Sequence, residues 1–548
     1  MAKRFTQLLC ILLSAALLFL CTSCGKDEQT GMGFLFTCAL PGNPACLDPQ
    51  YTDNPNADTV ITNIMEGLVR LDENGVIQPA GAESYTVSED GLYYMFNLRK
   101  DACWYKSGME EDETIPVTAY DYIFAFERMF RKETQSPYAA KFTCLKNANA
   151  IMAGTQDVSA LGISAPDRTT VIFQLEYTNA EFLNLLAQPC AVPCNKSFFQ
   201  TTNGRYGLDL DTVLCNGAFY LTKWNYDVYG KDNFMNFRKN PTHYDAENIA
   251  PSSLTFRILK SQADADAYFA DGGADVLATL SNSTAYAESK NYTVTSGYAQ
   301  TMGLIFHPDN EILQNTDLRL ALAYAIDRTA YAPKLSADLQ PAYGVIPPAV
   351  NLLGSSYREM YADEPLALPY DPVKATELFA KAEKALQLNS MNTIRILVSN
   401  DIKDTEALLT ICQEWQTLFG QYIGLETVSQ DEYEKRIASG DYSIALFSVG
   451  PNRDSCYETL QRFAAEQKRL GFVSEEFSGI MAGLASAGKL ADTVELYGAA
   501  ERAILETNAF IPLFYKNSYL ICTAGNQDLR FDAFSGAVDF RYAKHFAD

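Results

Sequence analysis

The chain has 548 residues, of which 47% are hydrophobic and 12% aromatic, so it is long enough to bury large cores in about two to four domains. Its formal net charge of −24 excludes electrostatic binding to nucleic acid and to anionic lipid, because both would be repelled by the surface.

The first 24 residues have the layout of a secretory signal. Two basic residues precede an apolar stretch from Leu8 to Cys21, which is too short to span a bilayer. Two small residues then stand before Cys24, as in a bacterial lipobox, although Cys21 occupies a position where leucine is usual. We expect residues 1–24 to be a lipoprotein signal peptide, Cys24 to carry the lipid and residues 25–31 to form a tether. A plain signal peptide and an uncleaved anchor are the alternatives.

Cysteine and histidine usage bears on disulfides and metals. Of 13 cysteines, three lie in the signal region, which leaves ten scattered ones. Cys190 and Cys194 are close in sequence and are the candidate disulfide of an exported protein. None of the three histidines stands at zinc-ligand spacing from a cysteine pair, so we expect no metal and no cofactor.

The first elements beyond the signal alternate between strand and helix patterns. Residues 34–38 read as a buried strand, and residues 93–98 show the period of two that gives a strand one inner face. A helix is predicted to start at Thr118, because Asp121 completes a capping box and apolar residues then recur every three or four positions.

The rest of the chain reads as mixed α/β. Residues 253–259 are predicted to form a strand and residues 262–270 a helix, and a further helix is predicted to open at residue 316. Asp371 and the proline after it supply an N-cap and a first-turn proline for another helix. From residue 393 to 449 the order is strand, helix, strand, helix, strand, which predicts parallel strands with helices on their faces.

Sequence motifs for catalysis are missing. The chain contains no GxSxG elbow, no HExxH, no GxxxxGK followed by the Ser or Thr of a phosphate loop, and no GxGxxG after a strand. The acidic run at residues 110–113 is typical of a solvated loop. We therefore expect a binding protein and not an enzyme.

A series of blocks along the chain matches one known pattern in order and spacing. The blocks are Leu47-Asp48-Pro49, Ile64 to Val69, 90–99, 116–122, 216–220, 272–276, 318–328 and 511–515. Together they resemble the family 5 extracellular solute-binding proteins, the peptide and nickel receptors of bacterial ABC importers. The resemblance covers nearly the whole mature chain.

This resemblance implies a fold and a division into domains. The implied fold is α/β, a bilobal clamshell like the periplasmic binding proteins, with mixed sheets, helices on their faces and an extra inserted subdomain. The strands that cross between the lobes are expected near residues 301–306 and 507–514. The implied domains are lobe I from residues 32–72, 196–302 and 509–548, subdomain II from 73–195 and lobe III from 303–508.

The resemblance also implies where a ligand binds. Tyr138 lies in a Ser-Pro-Tyr-Ala segment similar to one that places a tyrosine at the cleft of oligopeptide receptors, although an aromatic residue after a proline turn is by itself more typical of packing than of a pocket. Peptide receptors meet the ligand's amino terminus with an aspartate in an aromatic-rich loop, and this chain aligns Asn452 with it. Asp454 is either the substitute anchor or a local partner of Arg453. The expected ligand-binding residues are Tyr138, Val449, Gly450, Asn452, Asp454, Phe514 and Tyr515.

The implied function is peptide capture for transport. A peptide bound between the lobes favours the closed state, because that state alone contacts it from both sides, and the transmembrane subunits of an ABC permease recognise the closed shape. The protein is expected to be a monomer on the cell surface or periplasmic side of the cytoplasmic membrane, attached through its lipid alone. Two alternatives stay open, a receptor for a non-peptide solute such as a metal chelate or an oligosaccharide, and a surface lipoprotein for sensing or adhesion.

Overall fold

The computed structural model of the protein describes residues 33–72, 75–279, 284–352, 354–361, 366–402, 405–465, 474–484, 487 and 490–546. The expected signal peptide, its Cys24 and the tether lie outside the described residues. Within the described ranges, no helix combines the length and the apolar character needed to cross a membrane.

The described strands are β1 Leu35–Leu40, β2 Val69–Leu71, β3 Ile77–Pro79, β4 Ala82–Val87, β5 Tyr93–Leu98, β6 Cys103–Trp104, β7 Ile115–Pro116, β8 Ile163–Ser164, β9 Thr170–Gln174, β10 Phe219–Asn225, β11 Phe234–Lys239, β12 Ser253–Ile258, β13 Val276–Thr279, β14 Tyr292–Phe306, β15 Leu339–Pro341, β16 Asn351–Leu352, β17 Ser355–Ser356, β18 Arg395–Ser399, β19 Gly424–Val428, β20 Ile444–Val449, β21 Phe510–Thr523, β22 Asn526–Gln527, β23 Arg530–Phe531, β24 Val538–Asp539 and β25 Lys544–His545.

The described α-helices are α1 Pro55–Ile64, α2 Ala119–Phe130, α3 Ala148–Met152, α4 Phe182–Leu186, α5 Lys196–Thr201, α6 Gln262–Ala270, α7 Thr284–Ala287, α8 Thr316–Tyr324, α9 Arg328–Tyr331, α10 Tyr357–Met360, α11 Pro372–Leu386, α12 Thr405–Phe419, α13 Gln430–Ser439, α14 Cys456–Ala465, α15 Glu475–Leu484 and α16 Leu490–Glu506.

One sheet of 11 strands runs through the molecule in the order β10-β11-β12-β1-β13-β21-β14-β20-β18-β19, with β15 beside β21. In one half β1 is parallel to β12 and β13, and in the other half β18 is parallel to β19 and β20. The long strands β14 and β21 pair antiparallel from Tyr292 opposite Thr523 to Ile305 opposite Phe510. They connect the two halves of the sheet, and they overlap residues 301–306 and 507–514, where the resemblance implied the crossing strands.

Separate hydrophobic clusters define the parts of the molecule. The first lobe packs α1 and the C-terminal strands on β1 and β10 to β13. The inserted subdomain packs α2 on β5 and β9, which belong to a sheet of four strands. The second lobe has two clusters, built on β14, β18, β20 and β21 with the helices around them. The fold is therefore mixed α/β and bilobal, as the resemblance implied.

Several elements predicted from the sequence are confirmed. The backbone N–H of Thr118 donates to the carboxylate of Asp121 at the start of α2, 2.8 Å away. The alternation in β5 is real, because Tyr94, Phe96 and Leu98 are buried while Tyr93 is exposed. The strands and helices of residues 393–449 appear in the predicted order with parallel pairing. We predict from the sequence that the first helix of this region begins at residue 404, which lies outside the described residues.

The candidate disulfide is not formed. Cys190 and Cys194 are both free thiols, and they lie in different surroundings. Cys190 packs into the core of the inserted subdomain, whereas the thiol of Cys194 accepts a hydrogen bond from the guanidinium of Arg128 at 3.4 Å. Burial raises the pKa of the Cys190 thiol to about 11 and that of Cys194 to about 12, so both stay protonated at neutral pH.

Candidate functional site

A cavity of about 600 Å³ lies where the two lobes and the inserted subdomain meet. The first lobe contributes residues 295–298 of β14 and the C-terminal segment 530–539. The second lobe contributes residues 348–351 and 453–454, and the inserted subdomain contributes residues 184–189. Cavities of this size hold small-molecule ligands.

The loop after β20 carries the second lobe's contribution. Val449 ends the strand inside the core, and Gly450 follows at a close approach to β14. A Cβ at Gly450 would lie 2.9 Å from the carbonyl oxygen of Ala299, so any larger residue there would push the loop away from the strand. Asn452 is exposed, its backbone N–H donates to Glu458 at 3.3 Å, and its side chain does not line the cavity.

Asp454 lines the cavity and is held in place by Asn351. Its Oδ1 accepts the backbone N–H of Asn351 at 2.6 Å, and its Oδ2 accepts the side-chain amide of the same residue at 3.3 Å. Burial is the main cause that raises the pKa of Asp454 to about 7; the bonds from Asn351 oppose it in part, and the nearby carboxylates of Asp532 and Glu181 contribute to the rise. A ligand with a positive charge would stabilise the ionised form of this buried carboxyl more than a neutral ligand would.

Arg453 does not pair with Asp454, so one of the readings left open by the sequence is wrong. Its guanidinium lies between two carboxylates of the first lobe, in contact with Asp58 and 3.5 Å from Asp532. Both Arg453 and Asp58 are buried, at 8% and 6% exposure. The arginine therefore ties the second lobe to the first.

The next residues of the same loop tie the second lobe to the inserted subdomain. The hydroxyl of Ser455 donates to the carboxylate of Glu181, and Glu458 pairs with Lys141. Glu181 also accepts the hydroxyl of Tyr497 at 2.7 Å. We call Arg453, Ser455 and Glu458 with their partners Asp58, Asp532, Glu181 and Lys141 the interlobe clasp, since these contacts join the second lobe to the first lobe and to the inserted subdomain.

The other expected ligand-binding residues lie in the packed interior, away from the lining of the cavity. Tyr138 is 8% exposed and donates its hydroxyl to the carbonyl of Thr52 at 2.5 Å. Phe514 is fully buried, and the hydroxyl of Tyr515 accepts the backbone N–H of Gly344 at 2.9 Å. These aromatic residues are therefore part of the packed interior in this structure.

The structure adds cavity residues that sequence reasoning missed, above all Arg453, Arg530 and Asp532. Arg453 lies between Asn452 and Asp454, and its charge is the feature of the sequence that marks it as a possible cavity residue. Nothing local marks Arg530 and Asp532, because they reach the cavity only when the C-terminal strands β23 and β24 fold back beside β14.

In the described part of the chain, no group of three or more histidine, cysteine, aspartate or glutamate side chains is arranged to hold a metal ion.

Comparisons with known proteins identify relatives of this chain. Residues 76–469 match the model of the bacterial extracellular solute-binding proteins, family 5. A dipeptide-binding protein of Lactococcus lactis subsp. cremoris is 25% identical over 97% of this chain and 97% of its own length. The substrate-binding domain of an oligopeptide ABC transporter from Bacillus anthracis superimposes with a TM-score of 0.70 at 24% identity, covering 94% of this chain and 99% of that one. Listeria monocytogenes OppA bound to peptide gives 0.69 at 20% identity, with 94% and 100% covered.

Proposed function

We propose a function from the premise that this chain belongs to the bacterial extracellular solute-binding proteins of family 5: it captures peptides between its lobes and delivers them to an ABC permease. The observation that carries the proposal is the cavity of about 600 Å³ lined by both lobes, with the carboxyl of Asp454 in its wall. The names of the relatives, a dipeptide-binding protein and oligopeptide receptors, support the choice of ligand.

In this proposal Asp454 binds the amino group of the peptide. Its two oxygens each accept one hydrogen bond from Asn351 and retain lone pairs for a donor in the cavity. A hydrogen bond between charged groups contributes about 1.5–3 kcal/mol, and every peptide with a free amino terminus can make it. Asn452, the residue aligned with the family's aspartate, is replaced in this role because its side chain lies outside the lining.

The proposed mechanism is closure around the ligand, without a chemical step. Opening separates Asp454 in the second lobe from the first-lobe wall at residues 530–539. A peptide that contacts both walls stabilises the closed state by its differential affinity for that state, and the permease then recognises the closed surface. We also propose that Cys24 carries the lipid anchor. Residues 32–72, 196–302 and 509–548 then form lobe I, residues 73–195 form subdomain II and residues 303–508 form lobe III.

Thermal unfolding of residues 25–548 with a mixed library of di- to octapeptides tests the proposal, because a ligand of the native state raises the midpoint. We expect a rise with free peptides that is strongly reduced with N-acetylated peptides and in Asp454→Asn. The matched control is Asp271→Asn, an exposed aspartate that does not line the cavity, which should respond like the wild type. No rise with any peptide would overturn peptide binding, and a rise that persists in Asp454→Asn would overturn the amine contact alone.

A further inference from the structure

Glu181 is a carboxylate of the inserted subdomain that is buried against the second lobe. It stands directly before α4, is 3% exposed, and its side chain does not cap that helix. Instead, Oε2 accepts the hydroxyl of Ser455, and Oε1 accepts the hydroxyl of Tyr497 at 2.7 Å and the backbone N–H of Tyr457 at 3.3 Å. All three donors belong to the second lobe, so the surroundings of this carboxylate depend on the contact between the two parts.

Glu181 is not neutralised by a cation. Its carboxylate forms no ion pair with any residue that the structure describes. The cations of the interlobe clasp bind other carboxylates, since Lys141 pairs with Glu458 and Arg453 contacts Asp58. An ionised carboxylate that is buried without a counter-ion is costly, because no attraction offsets the loss of its hydration.

The titratable groups of the second lobe that face Glu181 are acids. They come from the loop after β20, from α14 and from α16, and they are Asp454, Cys456, Tyr457, Glu458 and Tyr497. Arg358 lies near Cys456, but it is paired with Glu501. Burial is the main cause that raises the pKa of Glu181; the hydrogen bonds oppose it in part, and the charge of Glu458 contributes to the rise.

The hydrogen bonds around Glu181 fit a neutral carboxyl as well as an ionised one. A proton on Oε2 would be donated to the hydroxyl oxygen of Ser455, which accepts the backbone N–H of Glu458 at 3.1 Å and has a second lone pair. Oε1 would keep its bonds from Tyr497 and Tyr457. Moving the second lobe away from the inserted subdomain would open the molecule, remove these donors and let water reach the carboxylate. The closed arrangement, with this contact formed, therefore holds the proton more tightly than an open one.

We propose that Glu181 is a proton-dependent switch of lobe closure: the ligand-free molecule closes when this carboxyl binds a proton and opens when the carboxyl is ionised. The switch belongs to the empty protein and does not depend on the class of ligand. It acts between two parts of the chain whose contact buries the carboxyl, so protonation and closure favour each other.

The sign of the pH dependence follows from the direction in which burial changes the pKa of Glu181. This pKa is higher in the closed arrangement than in water, so closure is favoured at low pH and the advantage is lost as the pH rises through the raised value. Between the ordinary pKa of about 4.3 and the raised one, the ratio of closed to open molecules should fall by up to about tenfold for each pH unit. Asp454, with its pKa raised to about 7, would act in the same direction, so the test must separate the two residues.

Small-angle scattering of the ligand-free protein between pH 5 and 9 tests the proposal. We expect the radius of gyration of the wild type to increase with pH and to decrease again when the pH is lowered. In Glu181→Gln, the amide keeps an accepting oxygen for Tyr497 and Tyr457 and offers an N–H to Ser455, so it imitates the neutral carboxyl at every pH. We expect this variant to be more compact than the wild type at high pH.

Two further variants serve as controls. Asp454→Asn keeps Glu181 and should retain an increase of the radius with pH, whereas Glu181→Gln combined with Asp454→Asn should give a constant radius. Glu83→Gln changes an exposed glutamate of β4 in the same subdomain and should follow the wild-type curve. An unchanged far-ultraviolet circular dichroism spectrum over the pH range verifies that each variant stays folded.

A wild-type radius that stays constant between pH 5 and 9 would overturn the switch. The same curve for Glu181→Gln and the wild type would also overturn it. An increase that disappears in Asp454→Asn and persists in Glu181→Gln would assign the switch to Asp454 and contradict the role of Glu181. All of these measurements are made without a peptide, so their outcome is independent of the proposed function.

Discussion

At the scale of single residues, the proposed contact of Asp454 with a peptide amino group predicts that ligand binding depends on pH. Its pKa is raised to about 7, chiefly because the carboxyl is removed from water and in smaller part because Asp532 and Glu181 are close. Without a ligand, the folded state holds this proton more tightly than the unfolded chain does. Its contribution to stability is therefore present at low pH and is lost as the pH rises through about 7.

The affinity for peptides should change with pH in the opposite direction, increasing as Asp454 loses its proton. A peptide amino group binds the ionised carboxylate, so below the pKa of about 7 the affinity should fall by up to about tenfold for each pH unit. Above about pH 8 the affinity should fall again, because the peptide's own amino group loses its proton. Calorimetric titrations between pH 5 and 9 in buffers of different ionisation enthalpy would measure both the affinity and the proton released.

N-acetylated peptides and Asp454→Asn are the controls for this prediction, and both should give weak binding with a flat profile below pH 7. A wild-type affinity that stays constant between pH 5 and 7 would contradict the amine contact of Asp454.

At the scale of elements, α16 supports the cavity from a distance. Glu501 in this helix is fully buried and accepts the backbone N–H groups of Val345 and Ile346 at 2.8 and 2.7 Å. It also pairs with Arg358, which binds the carbonyl of Ile346 through its Nε at 3.0 Å. The helix thereby fixes the segment that leads to Asn351, the partner of Asp454.

Glu501→Ala should therefore lower both stability and affinity. The variant leaves Arg358 largely buried without its counter-ion, and breaking a buried pair in this way costs about 3–5 kcal/mol. Urea unfolding would measure the loss, and titration of the folded fraction should show weaker binding because Asn351 is no longer held. Glu495→Ala on the exposed face of the same helix should stay within about 0.5 kcal/mol of the wild type. Equal stabilities of the two variants would contradict the anchoring role of Glu501.

Elements of this kind differ in how far the sequence predicts them. The order of strands and helices from residue 393 to 449 follows from local periodicity, and the capping box at Thr118 follows from two residues three positions apart. The pairing of β14 with β21 joins residues more than 200 positions apart, and no local pattern encodes it. Family resemblance placed the crossing strands instead.

The residues of the candidate site also differ in how far the sequence predicts them. Asp454 was found because it lies near the aligned position in one loop, and the structure places it in the cavity wall. Tyr138, Phe514 and Tyr515 were chosen as aromatic neighbours of a cleft, and their rings are buried because packing stabilises such side chains more than exposure does. Whether they contact a ligand stays a prediction. Arg530 was missed because its position depends on the fold of the C-terminal hairpin.

At the scale of the whole molecule, the interlobe clasp stabilises the closed arrangement with the protein's own charges. Arg453, Ser455 and Glu458 all contact parts outside the second lobe. Because both partners are buried in most of these contacts, solvent screens them little. We expect the clasp to raise the population of the closed state before a ligand binds, and the apparent affinity to rise with that population.

Arg453→Met tests this role, because it keeps much of the side chain's length while removing its charge. In the ligand-free variant the lobes should separate, since Asp58 loses the counter-ion that offsets its burial, and burial already raises the pKa of this carboxyl. Small-angle scattering should give a larger radius of gyration than for the ligand-free wild type, and saturating peptide should restore the wild-type value. The dissociation constant should increase by the factor by which the closed population falls.

The double variant Arg453→Met with Asp58→Asn separates the electrostatic effect from a packing defect. Removing both charges of the pair eliminates the uncompensated carboxylate, so the double variant should recover much of the stability while the lobes, no longer joined by that ion pair, stay more open than in the wild type. Identical scattering of the wild type and Arg453→Met without ligand would mean that the clasp does not control closure. The population of the closed state would then depend on the bound peptide alone, and the affinity of Arg453→Met for peptides should equal that of the wild type.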